Sequence, residues 1–201
     1  MLLTVLVAAV LGYMASNLVF GKKTADFESL LNYPSLKTFS GFELINHKQE
    51  KITIDSFEGH WTLLFFGFTH CPDVCPTTLT ELQKTFKILQ SKNLKSIPQV
   101  LFVSVDPERD NPNTLKEYIS FFNPMFNAAT ADASNILSIA SQVGVAYHIA
   151  EHEKNNLNYS VDHTAAVFLV NPEKQLYGIF KSPHDSNMIA SDLIKLIGIN
   201  E

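Results

Sequence analysis

The sequence predicts a mixed α/β domain, built on a central sheet covered on both faces and preceded by an apolar N-terminal segment. Three observations carry this. Two continuous apolar runs, WTLLFF at 61–66 and QVLFVSV at 99–105, have the character of strands buried on both sides. Each is followed by a polar loop and then by apolar residues at helical spacing. Ahead of both stands a run, residues 2–20, without a single charge.

That first run (LLTVLVAAVLGYMASNLVF) holds three clearly polar side chains, Thr4, Ser16 and Asn17. As a helix it is roughly 28 Å long, close to the ~30 Å hydrocarbon core of a bilayer. A core helix would be amphipathic, and this run is apolar all round. A signal peptide has a basic start and a small-x-small cleavage site at its end. Here the basic start is missing, and Ala8 and Ala9 lie inside the run. The expectation is an uncleaved transmembrane anchor over 1–20, with a signal peptide as the alternative. Lys22 and Lys23 follow the span and give a weak bias toward a cytoplasmic domain.

Residues 21–40 lack a sustained period and read as a linker, so the folded domain is expected over 41–201. Residues 42–45 and 52–54 form a short hairpin around HKQE. The buried strand at 61–66 leads through Gly67-Phe68-Thr69-His70 into CPDVCP, where Pro76 suits a first helical turn. Leu79, Leu82, Phe86 and Leu89 continue that helix. After the strand at 99–105, SVDPERDNP is a polar loop, and helices follow at 114–122 and 135–143. Strands are expected at 145–149, 165–170 and 175–180, the last two joined by the turn NPEK, and an amphipathic helix at 186–197 closes the chain. A cysteine motif between the first core strand and its helix is where thioredoxin-like domains keep their chemistry, an analogy of fold and not yet of function.

Composition bounds the partners. The 201 residues are 46% hydrophobic and 17% charged, enough for one good core. With 15 Lys+Arg against 20 Asp+Glu and no basic run, the chain has no phosphate-tracking surface, so nucleic acid is not an expected partner.

Chemistry concentrates on the chain's two cysteines, Cys71 and Cys75. Read as i and i+4 on a first helical turn, they share a face at a spacing that permits a disulfide or a shared metal. A structural staple is a weak explanation. Closing so short a loop is worth roughly 2 kcal/mol, against about 4.7 kcal/mol for a hundred-residue loop. The prolines at 72 and 76 mark an exposed turn, which disfavours buried free thiols. A helix N-terminus lowers a thiol pKa, so thiolate chemistry is expected. Two thiolates suit Cu(I), and zinc also accepts them, but a structural zinc site wants four protein ligands. Copper is satisfied by three.

Seven histidines compete for the third place. His47 and His60 fall in early loops and read as solvated, as do His148 and His152 in HIAEHEKNN. His70 adjoins Cys71 and should point away from a shared site. His184 sits in a loop before the last helix. His163 lies where polar NYSVDH meets apolar TAAVFLV, at a sheet edge expected to face the cysteines. Spacing alone leaves it one contender among several.

Three segments decide between them. FGFTHCPDVCPTTL, then VSVDPERDNP, then YSVDHTAAVFLVNPEKQLYG resemble the Sco/SenC family in sequence and in order, over roughly residues 40–198. The most specific element is CPDVCP combined with the downstream VDHT. The resemblance implies a thioredoxin-like fold and one copper ion bound by Cys71, Cys75 and His163. It implies delivery of that copper to the dinuclear centre of cytochrome c oxidase, the copper-accepting subunit being the partner. It places the anchored domain on the periplasmic side of an inner membrane, or in the mitochondrial intermembrane space, against the bias of Lys22 and Lys23. Asp73 and Asp162 become candidates to orient ligands or meet a partner. Asp106 and Asp110 are expected to shape a turn.

The alternative activity is thiol–disulfide reduction, in which Cys71 and Cys75 act catalytically and keep the oxidase cysteines reduced. The CxxxC spacing differs from the CxxC of ordinary thioredoxins, which argues against a general oxidoreductase. A peroxidase would need one activated cysteine with a supporting Thr and Arg, and Arg109 is the only arginine in the chain.

Overall fold

The computed structural model describes residues 26–92, 94, 96–153 and 156–200. The expected anchor lies outside the described residues. Among those described, no helix is long and apolar enough to cross a membrane.

Among the described residues, ten strands and four α-helices follow one another: β1 (Leu30–Thr38), β2 (Leu44–Asn46), β3 (Lys51–Ile52), β4 (Thr62–Gly67), α1 (Val74–Ser91), β5 (Gln99–Ser104), α2 (Pro112–Phe122), β6 (Asn127–Thr130), α3 (Ala133–Val143), β7 (Tyr147–Ile149), β8 (Val161–His163), β9 (Ala166–Val170), β10 (Gln175–Lys181) and α4 (Ser186–Asn200). Eight form one sheet in the order β1-β10-β9-β4-β5-β6-β2-β3, while β7 and β8 pair separately as a two-stranded ribbon.

β4 and β5 run parallel at the centre, and β9 runs antiparallel on the other side of β4. Alternation along β4 divides the core. Leu63 and Phe65 face one layer with Leu79, Leu82 and Phe86 of α1, Ile119 of α2 and Leu193 of α4. Leu64 and Phe66 face the other with Ile136, Ile139 and Val143 of α3. Every residue of β4 is buried, so the period-2 signal is hidden in the sequence by burial on both faces.

Three expectations change. The segment read as linker contains β1, paired antiparallel with β10 along an edge where Pro34 costs no interior hydrogen bond. What docks it is Asp192 of α4: this fully buried carboxylate accepts the backbone N–H groups of Glu28 (2.8 Å), Ser29 (2.7 Å) and Leu30 (2.8 Å). Burial raises its pKa, but those bonds outweigh it and hold it below the usual carboxylate value. β6 (NAAT) was not foreseen. Its alanines and asparagine have poor strand propensity, and pairing with β5 and β2 overrides that. His47 is buried, not solvated: its Nδ1 accepts the N–H of Ala128 at 3.2 Å, and burial lowers its pKa.

Candidate metal centre

The site lies at the C-terminal ends of β4 and β5. β4 ends at Gly67, and an added β-carbon there would stand 2.5 Å from the Cys75 sulfur. Glycine is therefore what lets the cysteine pack against the strand end. Residues 68–73 then turn into α1. Cys75 is on the first turn and fully buried, whereas Cys71 precedes the helix and is half-buried. The pair does not share a helical face, as i and i+4 suggested. The turn instead folds Cys71 back over the helix end.

That position explains the chemistry of Cys71. Asp73 is the N-cap residue but its side chain caps nothing. The Cys71 sulfur takes the vacant role, accepting the N–H of Cys75 at 3.4 Å. Cys71 is drawn down to about 3, first by the hydrogen bond from the Cys75 thiol, against burial, and then by His163 and the N–H groups of Cys75 and Asp73. Cys75 is pushed far up by the same bond and by burial. Of the two sulfurs, Cys71 at the positive end of the helix is therefore the more acidic.

His163 arrives from the β7–β8 ribbon, opposite Tyr147. Its Nε2 lies 3.3 Å from the Cys75 sulfur, and its Nδ1 lies 3.2 Å from the Thr164 carbonyl oxygen. A proton on Nε2 is donated to the sulfurs, which is how His163 lowers the Cys71 pKa; a proton on Nδ1, donated to the Thr164 carbonyl, leaves the Nε2 lone pair free for a metal. Phe65 and Phe68 meet the imidazole edge-on, with centroids at 6.1 and 5.8 Å. The donor atoms of Cys71, Cys75 and His163 all lie within 4.8 Å of one another. Two soft sulfurs and one imidazole nitrogen form a copper-type donor set, one ligand short of a closed zinc site.

Other histidines stay apart. His70 is exposed and touches Thr69 Oγ1 at 3.1 Å. His152 stacks on Tyr159, and His184 contacts Thr78 and the Phe180 carbonyl. His60 and His148 are exposed. Asp162 is exposed and pairs with His148 in the ribbon, so strand alternation turns it away from the face of His163. Asp73 contacts Thr77.

The SVDPERDNP segment reads as a polar loop, and the structure buries four of its polar residues, Ser104, Asp106, Arg109 and Asp110, while Glu108 and Asn111 stay exposed. Asp110 accepts the Thr69 N–H (2.9 Å), the Thr69 hydroxyl (2.5 Å) and the Ser104 hydroxyl (2.5 Å), pinning the cysteine loop to the end of β5. Asp106 pairs with Arg109 and accepts the Tyr159 hydroxyl at 2.6 Å. Gly67, Thr69 and Asp110 were not singled out from the sequence as supports of the site. The one signal available was the density of acidic residues beside a core strand.

Comparison with known proteins settles the lineage. The SCO1/SenC family model matches residues 33–198. The chain belongs to the SCO1/SenC family. A SCO2-like protein of Rickettsia prowazekii is 36% identical over 135 residues, covering 67% of this chain and 65% of that protein. Protein SCO1 homolog 1, mitochondrial, of Arabidopsis thaliana is 34% identical over 157 residues, covering 78% of this chain and 46% of the relative. The chain thus spans less than two thirds of either relative. The crystal structure of Arabidopsis thaliana ScoI with copper bound superposes with a TM-score of 0.74 at 32% identity, covering 81% of this chain and 99% of that one. Bradyrhizobium japonicum ScoI with copper bound gives 0.69 at 31% identity, covering 79% and 99%. This SCO1/SenC chain accordingly has the family's thioredoxin-like fold, with Cys71, Cys75 and His163 gathered at one end of its sheet.

Proposed function

We propose that this protein is a copper metallochaperone that carries one copper ion on Cys71, Cys75 and His163 and delivers it to the dinuclear copper centre of cytochrome c oxidase. The convergence of two sulfurs and one imidazole nitrogen, all within 4.8 Å of one another, carries this reading. The copper-bound ScoI structures of Arabidopsis thaliana and Bradyrhizobium japonicum support it. Residues 1–20 anchor the chain in an inner membrane as a single span, with the domain on the periplasmic side or, in a mitochondrion, in the intermembrane space. The mitochondrial SCO1 relative is consistent with this placement.

Transfer is a ligand exchange. Cys71 is half-buried and open to an incoming thiolate of the acceptor, while Cys75 and His163 hold the cargo from within. Each new acceptor bond replaces one donor, so copper is never released into water. The test is copper content of the purified full chain, in which Cys71→Ala and Cys75→Ala abolish stoichiometric binding and His163→Ala weakens it severely. Wild-type copper content in Cys71→Ala would refute the reading.

The depressed pKa of Cys71 favours a second reading, reduction of the acceptor's own disulfide. The Cys71 thiolate attacks one acceptor sulfur and expels the other. The Cys75 thiol then gives up its proton and closes a Cys71–Cys75 disulfide, which leaves the acceptor with two thiols. His163→Ala separates the roles, since it removes a copper ligand and leaves both sulfurs.

A further inference from the structure

The third donor comes from a ribbon outside the main sheet. β7 and β8 pair over Tyr147–His163, His148–Asp162 and Ile149–Val161 and, among the described residues, join no other strand. β8 is tethered at one end, running within two residues into β9 of the main sheet, and Cys75 and His163 are 3.3 Å apart, so the other end of the ribbon must also be held against the cysteine loop.

We propose that Arg109 is the positioning residue that sets the distance between His163 and the two sulfurs. Its guanidinium carbon lies 3.8 Å from the ring centroid of Tyr159, on the arm leading into β8, and 5.4 Å from that of Phe68, on the cysteine loop. Phe68 in turn meets His163 edge-on. Nη1 donates to the carbonyls of Tyr159 (3.0 Å) and Leu157 (3.3 Å), and Nε donates to Asp106. His152 stacks on Tyr159 at 3.7 Å, and two groups so near one centroid take opposite faces. The result is a ladder, His152–Tyr159–Arg109–Phe68–His163, whose middle rung ties together the two segments that bring the donors.

Only a guanidinium fits this role. Its plane stacks on an aromatic ring while its edge donates to carbonyls and a carboxylate, which an ammonium cannot do at once. Asp106 fixes the fork from behind, bonded to both Arg109 and Tyr159. Arg109 touches no donor atom, so it acts through Phe68 and the arm. This inference rests on copper being held by Cys71, Cys75 and His163.

The test is copper affinity of the full chain with Arg109→Met and Arg109→Lys, each also made in the His163→Ala background. Both variants are expected to weaken copper by about tenfold or more, as removal of supporting groups around a metal ligand does, and to alter the Cu(II) spectrum. In His163→Ala chains the same substitutions should change affinity little, since the donor they position is gone. A merely structural role would give equal losses in both backgrounds and overturn the inference, as would wild-type affinity in Arg109→Met. If Arg109→Met fails to fold around the stranded Asp106, Tyr159→Leu removes the stacking platform and keeps the ion pair, with the same expectations. No copper on the wild-type chain would instead refute the copper reading itself.

Discussion

Gly67 and Cys75 occupy space that cannot be shared with one more carbon. A β-carbon at 67 would stand 2.5 Å from the Cys75 sulfur and 2.8 Å from Phe102 Cε2. Both neighbours are fully buried, so neither can swing into solvent. The strand end and the inner sulfur are therefore fitted to each other.

Gly67→Ala should accordingly destabilise the domain by about 1–3 kcal/mol, the usual range for overpacking a core. It should also displace the sulfur and lower copper affinity. Urea denaturation paired with copper titration checks both. A fully stable variant with normal affinity would show that the sulfur has other room.

Thr69→Val removes the hydroxyl that donates to Asp110 and leaves a buried carboxylate short of a partner. Burial already raises the Asp110 pKa. The expected loss is about 1–3 kcal/mol in denaturant unfolding. Looser attachment of the cysteine loop should also slow copper uptake in stopped-flow mixing.

Asp192 gives a pH dependence. Its folded pKa is lowered by the N–H groups of residues 28–30, so its contribution is complete above the unfolded value of about 3.9 and fades as pH falls through the folded one. Asp192→Asn keeps much of the shape without the charge. The stability gap between wild type and variant should be widest near pH 7 and shrink below about pH 4. A gap independent of pH would mean the charge contributes nothing.

His163→Ala should separate the two activities. Copper loading of an apo-acceptor should fall by an order of magnitude or more, as expected for loss of one of three ligands. Reduction of the acceptor disulfide, followed by thiol titration, should persist. Equal loss of both would place the imidazole in the thiol chemistry as well.

Much of this was legible in the sequence for a physical reason. Long apolar runs and helical periodicity report burial directly, so β4, β5 and the four helices lay close to where they were expected. Segments held by tertiary contacts were opaque. β1 reads as linker because its docking depends on Asp192, distant in sequence, and β6 is a strand only through its neighbours. Cys71 and Cys75 were evident from type and spacing. His163 needed the family resemblance, because what selects it is a ribbon fold that brings it 3.3 Å from Cys75. Asp106 and Asp110 do shape a turn, closed by the Asp110 N–H on the Asp106 carbonyl, but its burial was hidden because a hydrogen-bonded buried cluster has the composition of a solvated loop.

The most direct test of the copper site is X-ray absorption at the copper edge of the loaded full-length chain. Two sulfurs and one imidazole nitrogen are expected around the metal, with a sulfur lost in Cys71→Ala or Cys75→Ala and the imidazole signal lost in His163→Ala. A shell of oxygen and nitrogen alone, unchanged by these substitutions, would contradict this.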